Sequence, residues 1–116
     1  MAAITSSNVT VVRQWAAGDA AGAFREVVKD LAITLAAQGG TAGDIPASAL
    51  GLSLIHSCQA KELDVSGTPK GATVFVKKDG SELVPFDVNQ ATDANRTARA
   101  NITGVLYIRV TGLSKL

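Results

Sequence analysis

The chain has 116 residues, of which 47 % are hydrophobic and 18 % are charged. This length suits one domain, residues 1–116, and the apolar content is above that of disordered chains. Eleven Lys and Arg against ten Asp and Glu give a net charge of +1, so specific binding of nucleic acid is not expected. One Cys and one His exclude an intrachain disulfide and the common four-ligand zinc sites, and we expect no cofactor and no metal.

The N-terminal segment and the apolar runs bear on location. The first twelve residues carry no charged side chain, so the basic region of a secretory signal is missing. The most apolar stretch, residues 49–55, is far shorter than the roughly 18 residues that a membrane-spanning helix needs. We therefore expect neither export through a cleaved signal nor insertion into a membrane.

Residues 8–15 are predicted to form a strand, because Val9, Thr10, Val11 and Val12 are β-branched and favour extended backbone. The glycines at 18 and 22 predict a loop after this strand.

Residues 24–35 fit two structures. Phe24, Val27, Val28, Leu31 and Leu35 recur at helical spacing, and this pattern by itself favours a helix. On a strand template, one face that Lys29 interrupts is formed by Val27, Leu31, Ile33 and Leu35. The β-branched residues favour extended backbone. The periodicity alone leaves this alternative open.

The middle of the chain predicts one helical turn and one strand. Residues 38–43 are a Gly-rich turn, and Pro46 followed by Gly51 fits a single helical turn between them. Residues 52–62 are predicted to be a strand with Leu54, His56 and Cys58 on one face and Ile55, Ser57 and Gln59 on the other. Residues 65–71 are predicted to be a loop.

The C-terminal half predicts a hairpin and a final strand. Asp79-Gly80 lies between the apolar runs 74–78 and 83–87, which is a strong hairpin signal. Pro85 cannot donate a backbone hydrogen bond, so the second arm should be an edge strand or be interrupted there. Residues 104–111 alternate Leu106, Ile108 and Val110 with more polar positions, and residues 89–101 are predicted to be a long loop.

Several sets of residues are candidates for a catalytic or metal site. His56 and Cys58 are about 6–7 Å apart on a strand, too far for a nucleophile and its base, and no enzyme activity is expected. The acidic and amide residues at 87, 89, 93 and 95 alternate as in a calcium loop, but Thr92 stands where the loop needs Gly. The scattered aromatic residues, which include Trp15, are expected to pack in the core.

Two segments resemble small virion proteins of tailed bacteriophages, in particular the capsid decoration, or cement, proteins. Residues 38–52 are Gln-Gly-Gly-Thr-Ala-Gly-Asp-Ile-Pro-Ala-Ser-Ala-Leu-Gly-Leu. Residues 89–96 are Asn-Gln-Ala-Thr-Asp-Ala-Asn-Arg, and a Gly-bounded strand follows them. The resemblance implies an extended conformation for residues 24–35, in place of the helix that periodicity favours.

Together, the patterns and the resemblance predict a mostly β domain of about six strands, a β-sandwich or jelly-roll-like fold with one short helical turn. The resemblance implies a protein made in the host cytoplasm that binds the outer surface of the capsid, bridges subunits of the major capsid protein and forms a homo-oligomer, a dimer or trimer. A phage neck or tail structural protein and a small ligand-binding β module are the alternatives. The expected partner-binding residues, all in the terminus or in loops, are Ile4, Thr5, Asn8, Thr41, Asp44, Arg96 and Arg99.

Overall fold

The computed structural model describes residues 3–21, 24–36, 44–87 and 102–115. These residues are mostly β and form two antiparallel sheets, which confirms the predicted fold class. The strands are β1 (Val9–Ala21), β2 (Phe24–Ala36), β3 (Ile45–Pro46), β4 (Leu54–Val65), β5 (Thr68–Lys70), β6 (Ala72–Val76), β7 (Glu82–Asp87) and β8 (Thr103–Lys115).

The strands divide into a large sheet and a small sheet. The large sheet has the order β1-β2-β8-β4-β5, and the small sheet has the order β3-β7-β6. Six strands have at least five residues, as the sequence predicted, while β3 and β5 are short additions of two and three residues. Two 3-10 turns, Ser6–Asn8 and Ala47–Leu50, complete the described structure.

The ambiguous segment 24–35 is a strand. It pairs with β8 without a register shift from Phe24 opposite Lys115 to Ala36 opposite Thr103, and β1 pairs along its other edge. Leu31, Ile33 and Leu35 are buried on one face. The helix that periodicity favours is wrong because pairing on both edges satisfies the backbone, and this tertiary context overrides local propensity.

One apolar core joins the two sheets. Leu31 and Ile33 of β2 lie opposite Ile108 and Leu106 of β8, and all four are almost completely buried. The same cluster includes Ile45 and Leu83, which are paired with each other in the small sheet. Burial of each such side chain stabilises the fold by about 1.5–3 kcal/mol. The predicted alternation of β8 is confirmed.

The predicted helical turn is confirmed at Ala47–Leu50 and is fixed to the large sheet by a buried lysine. Gly51 ends the turn with φ of +71°, the left-handed conformation that glycine adopts without strain. The Lys29 ammonium donates to the Leu50 carbonyl at 3.0 Å, which satisfies an acceptor at the end of the turn. Burial lowers the pKa of Lys29.

Two predicted loops are partly strand. β1 continues through Gly18 to Ala21, with an irregular register between Ala16 and Ala20. Residues 65–71 contain a tight hairpin, since Val65 pairs with Thr68. Ser66 and Gly67 between them have φ of +53° and +86°, as in a type I′ turn. The remaining loop predictions, for residues 38–43 and 89–101, lie outside the described residues.

A β-bulge changes the faces predicted for β4. Ile55 lies opposite Gly112 and Ser57 lies opposite Thr111, so His56 is an extra residue between two pairs. The extra residue reverses the alternation after it. Ile55 and Cys58, which lie on either side of the bulge, therefore face the same side. Ile55 is buried in the core and Cys58 packs against it. The predicted grouping of Leu54, His56 and Cys58 on one face is wrong for this reason.

The Asp79-Gly80 hairpin is confirmed. Asp79 Oδ1 accepts hydrogen bonds from the Ser81 amide at 3.0 Å and the Ser81 hydroxyl at 2.7 Å, and Gly80 has φ of +73°. The edge position predicted for the second arm is wrong, because β7 is the middle strand of the small sheet. β3 reaches only Glu82 and Leu83, so of the described strands only β6 pairs at Pro85, whose missing donor is tolerated there.

Gly80→Ala is expected to destabilise the fold more than Gly67→Ala, a matched control. Both positions have positive φ, which costs a residue with a Cβ about 1–2 kcal/mol. A Cβ at Gly80 would also lie 2.8 Å from the Ile55 carbonyl oxygen, whereas a Cβ at Gly67 would meet nothing within 4 Å. Urea unfolding should show a loss of about 1–2 kcal/mol for Gly67→Ala and about 1 kcal/mol more for Gly80→Ala. Equal losses would contradict the close approach at Gly80.

Candidate functional site

A charged cluster lies at the centre of the outer face of the large sheet, the face opposite the core. Asp30 of β2 is opposite Arg109 of β8 and Arg13 of β1 in the pairing register. These residues share a face because directly paired residues in an antiparallel sheet project to the same side. The strands therefore bring together charges that are far apart in the sequence.

Asp30 accepts hydrogen bonds from two arginines and forms an ion pair with a lysine. Arg109 donates through Nε to Oδ1 at 2.7 Å and through Nη2 to Oδ2 at 3.0 Å, and this bidentate geometry is the strongest that an arginine and a carboxylate form. Arg13 donates through Nε to Oδ2 at 3.0 Å, and Lys61 Nζ lies 3.4 Å from Oδ1. The Asp30 side chain is only 4 % exposed beneath these groups. We call these four residues the Asp30 cluster.

Two bulges position the cations. Val11 is opposite Leu31 and Arg13 is opposite Asp30, so the chain has gained one residue at Val12. With regular alternation, Arg13 would lie opposite Lys29 on the core side of the sheet. Lys61 is likewise the extra residue between the paired Ala60 and Glu62. The bulges thus direct two cations to one carboxylate.

The hydrogen bond from Arg109, with that from Arg13, holds the pKa of Asp30 well below its usual range, although burial of the carboxyl acts in the opposite direction. Asp30 is therefore ionised at neutral pH. The cluster has three positive charges and one negative charge, which leaves a local excess of positive charge.

Trp15 lies beside the cluster on the outer face. The centre of its ring is 5.1 Å from Cζ of Arg109 and 6.0 Å from Cζ of Arg13, within the range of cation–π contacts. The prediction that the aromatic residues pack in the core is wrong for Trp15, Phe24 and Phe75, which are exposed. Trp15 is on the outermost strand of the large sheet, and the small sheet covers only the core side.

The cluster forms the floor of a small cleft. Val12, Arg13, Asp30, Lys61 and Tyr107 line it, and its volume is about 100 Å³. Pockets for small molecules usually have about 300–1,000 Å³. The cleft is therefore suited to a single functional group, such as one side chain of a binding partner, and is too small to enclose a cofactor.

The predicted partner-binding residues do not form one site in the described structure, although Thr5 and Asn8 are hydrogen-bonded to each other. Ile4 is 1 % exposed and belongs to the core, and Asp44 is 3 % exposed with Lys77 Nζ at 3.6 Å, so neither side chain is available at the surface. Thr5 is exposed and borders a shallow groove of about 310 Å³. Asn8 accepts a hydrogen bond from the Thr5 amide at 3.0 Å. Thr41, Arg96 and Arg99 lie outside the described residues.

His56 and Cys58 lie in different environments. His56 Nδ1 is 3.0 Å from Glu26 Oε2 in an exposed pair. Burial raises the pKa of the Cys58 thiol to about 12, which keeps it protonated and unreactive at neutral pH. That the two do not act as a catalytic pair stays a prediction. Among residues 3–21, 24–36, 44–87 and 102–115, no three His, Cys, Asp or Glu side chains are grouped to hold a metal.

Comparisons with known proteins do not add to this description. No family model, no curated protein and no solved structure matches the chain. The part of the chain that the structure describes has no helix with the length and apolarity to cross a membrane. The fold and the Asp30 cluster thus define a small mostly β protein of two antiparallel sheets with a charged, partly aromatic outer face.

The sequence reasoning missed the Asp30 cluster. One local signal was present, because Lys29-Asp30 interrupts the otherwise apolar run from Val27 to Leu35. A charged side chain that is buried in an inner strand needs a partner of opposite charge, because an unpaired buried charge is costly. The cations that pair with Asp30 come from β1, β4 and β8. The sequence around Asp30 does not reveal the strand register that brings them there.

Replacing Asp30 by Asn should destabilise the protein at pH 7, because three clustered cations lose their counter-ion. The depressed pKa of folded Asp30 stabilises the fold fully above the unfolded Asp pKa of about 3.9, and this contribution is lost as the pH falls below that value. The free energy of unfolding should therefore fall more steeply for the wild type than for Asp30→Asn between pH 5 and pH 2.5. Glu26→Gln, which alters an exposed pair, is the control and should keep the wild-type slope. Parallel pH profiles for wild type and Asp30→Asn would contradict the assignment.

Cys58 should react slowly with a thiol reagent in the folded protein. With its pKa raised to about 12, the thiolate fraction at pH 8 is far below that of an unfolded thiol with a pKa of about 8.5. We expect the reaction with dithionitrobenzoate to be at least about a hundredfold slower in buffer than in 8 M urea. Comparable rates under the two conditions would show that Cys58 is accessible and ionisable, contrary to its position in the fold.

Proposed function

We propose that this chain is a structural virion protein that decorates the outer surface of a phage capsid and stabilises it by bridging neighbouring subunits of the major capsid protein. The resemblance of residues 38–52 and 89–96 to decoration proteins suggests this role. The exposed apolar side chains at one edge of the large sheet carry the binding part of the proposal.

The exposed large hydrophobic residues are concentrated on one edge of the large sheet. Among the described residues, five such side chains are exposed, and four of them lie on β1 or at the start of β2. They are Val11 at 47 %, Val12 at 59 %, Trp15 at 41 % and Phe24 at 37 % exposure, and we call them the edge patch. They are spread along the strand: Val11 lies opposite the core residue Leu31, and Phe24 lies opposite Ala21 at the other end. Exposed apolar side chains along a sheet edge are typical of an interaction surface.

Three of the four residues of the edge patch lie on β1, whose outer side has no partner strand in the described structure. β1 is the first strand of the large sheet and pairs only with β2. Thirteen residues of strand extend over roughly 40 Å, which is long enough to contact two neighbouring subunits. Contacts with several subunits raise the effective concentration of each further contact and favour the assembled shell by mass action.

A homo-oligomer, dimer or trimer, is part of this proposal, because the resemblance to decoration proteins implies one. A phage neck or tail structural protein remains the nearest alternative, since it would use the same type of surface.

A small ligand-binding β module is a second candidate that one observation favours. Such a module needs exposed aromatic side chains, and Trp15 is exposed beside Arg13 and Arg109. Against it, the adjacent cleft of about 100 Å³ is smaller than most ligand pockets. The edge patch therefore supports a protein partner better than a small ligand.

The protein should bind assembled heads of the phage that encodes it more tightly than it binds isolated capsid subunits. Heads prepared without the protein would be incubated with it and separated by sedimentation, and occupancy would be measured by gel densitometry. Val12→Ser should reduce occupancy by about tenfold, because it removes an apolar contact at the centre of the edge patch. Phe75→Ser is the matched control, since Phe75 is an exposed hydrophobic residue on the small sheet, and it should bind as the wild type does.

Equal binding to heads and to free subunits would exclude the bridging mechanism. Equal occupancy for Val12→Ser and Phe75→Ser would exclude the edge patch as the contact surface. Deletion of residues 1–7 is not a suitable test of an N-terminal contact, because it also removes the buried Ile4 from the core and would lower stability by about 2–5 kcal/mol.

A further inference from the structure

We propose that the cleft above Asp30 receives a carboxylate side chain from an acidic, extended segment of the partner protein, with Arg13 and Lys61 as its ligands. This inference rests on the proposed function, because it names the chemistry of the partner at the edge patch. Unused donors of Arg13, an excess of positive charge and apolar side chains beside the cleft support it.

Arg13 has donors that the described structure does not use. Its Nε binds Asp30, while its two terminal amino groups make no hydrogen bond to any described residue. The side chain is 65 % exposed. A guanidinium has five N–H donors in a fork that matches a carboxylate. Arg13 can therefore hold Asp30 through Nε and a second carboxylate through its free end.

The local charge favours an anion. Arg13, Arg109 and Lys61 all lie within 3.4 Å of the one Asp30 carboxylate, so the Asp30 cluster has two positive charges in excess. Glu62 follows Lys61 and lies opposite Tyr107 on the same face, but in the described structure it forms no ion pair with these cations. An incoming carboxylate would balance part of the excess, whereas a cationic group would be repelled.

The surroundings of the cleft favour a peptide over a free anion. Val12 borders the cleft and Trp15 stacks on Arg109 beside it, so an anion bound there has exposed apolar neighbours. A protein segment with a carboxylate flanked by apolar residues would cover these side chains, and a phosphate ion would leave them in water. Nucleic acid is less suited, because the net charge of the chain is only +1 and specific binding of phosphates usually needs a larger positive charge.

The cleft is adjacent to the unpaired edge of β1, and this determines how such a segment would bind. An extended segment added beside β1 would gain main-chain hydrogen bonds from the sheet edge, and its alternate side chains would point to the outer face. One of these side chains, opposite Arg13, would reach across Arg13 into the cleft, where Lys61 Nζ lies beside Asp30, and the neighbour two residues along would lie near Trp15. The site therefore selects for an acidic residue spaced by two from an apolar residue.

Trp15 allows the site to be tested directly, because it is the only tryptophan in the chain. The full-length protein would be titrated with the peptide acetyl-Thr-Glu-Thr-Val-Thr-amide, in which Glu and Val are two residues apart on one face of the strand, while Trp15 fluorescence is recorded. We expect a saturable change, an affinity that falls as salt is raised from 0.05 to 0.5 M, and binding about tenfold weaker for the same peptide with Gln in place of Glu. Inorganic phosphate at matched ionic strength should cause no saturable change.

Substitutions at the cleft provide the second arm. Arg13→Gln should weaken binding of the Glu peptide about tenfold, and Arg13→Lys should restore part of it because it keeps the charge. Lys78→Gln is the matched control, since Lys78 is an exposed lysine next to the Asp79-Gly80 turn, and it should bind as the wild type does. Unfolding curves in urea would confirm that each variant is folded, as Arg109 and Lys61 still pair with Asp30 in Arg13→Gln.

Each other outcome overturns the proposal. Equal responses to the Glu and Gln peptides, or none to either, exclude a carboxylate site. A saturable response to phosphate alone indicates a small-anion site, and a fluorescence change with protein concentration alone indicates that a second copy covers the edge. The result is separable from the proposed function, because wild type and Arg13→Gln would also be compared on phage heads. Equal head binding by both leaves decoration standing without this site, while peptide binding without head binding removes decoration alone.

Discussion

The long pairing of β2 with β8 is the constraint on which the rest of the structure depends. It runs through thirteen residue pairs without a shift, from Phe24 opposite Lys115 to Ala36 opposite Thr103. On one side it places Leu31 and Ile33 in the core, and on the other it places Asp30 against Arg109. A slip of one residue would exchange the two faces, so core packing and the charged cluster fix the same register and stabilise each other.

The irregular positions of the neighbouring strands complete the outer face. β1 and β4 each gain a residue relative to their partners, at Val12 and at Lys61. These bulges convert a sheet with one buried carboxylate and one arginine into a cluster with three cations. Bulges of this kind commonly redirect side chains at functional positions. Here they move Arg13 away from Lys29, where it would face a like charge, and place it over Asp30.

The location of the proposed docking surface has a physical advantage. Val12, Arg13 and Trp15 lie on a strand of the large sheet, and Asp30 and Arg109 hold the cations in place from adjacent strands. A surface fixed in this way loses little side-chain entropy when a partner binds. The exposed apolar edge would favour self-association, and the charge of Arg13 within it opposes pairing with a second Arg13. As proposed, the edge would thus discriminate between an acidic partner and another copy of itself.

The sequence by itself determined features that are specified within a few residues. Asp79-Gly80 specifies a hairpin because glycine accepts positive φ and Asp79 bonds to the Ser81 amide and hydroxyl. Gly51 ends the 3-10 turn for a similar reason, and the alternation of Leu106, Ile108 and Val110 identifies the core face of β8. Together with the other strand patterns, these were sufficient to predict the mostly β class.

Only the tertiary structure decided the state of residues 24–35, the faces of β4, the exposure of Trp15 and the existence of the Asp30 cluster. Residues 24–35 form a strand because they pair with both β1 and β8. The faces of β4 depend on a bulge at His56 that the residue pattern does not predict. Trp15 is exposed because the small sheet covers one face of the large sheet, which local periodicity does not reveal. Asp30 and Arg109 are 79 residues apart, and such contacts are selected by strand register, a property of the whole sheet rather than of any segment in it.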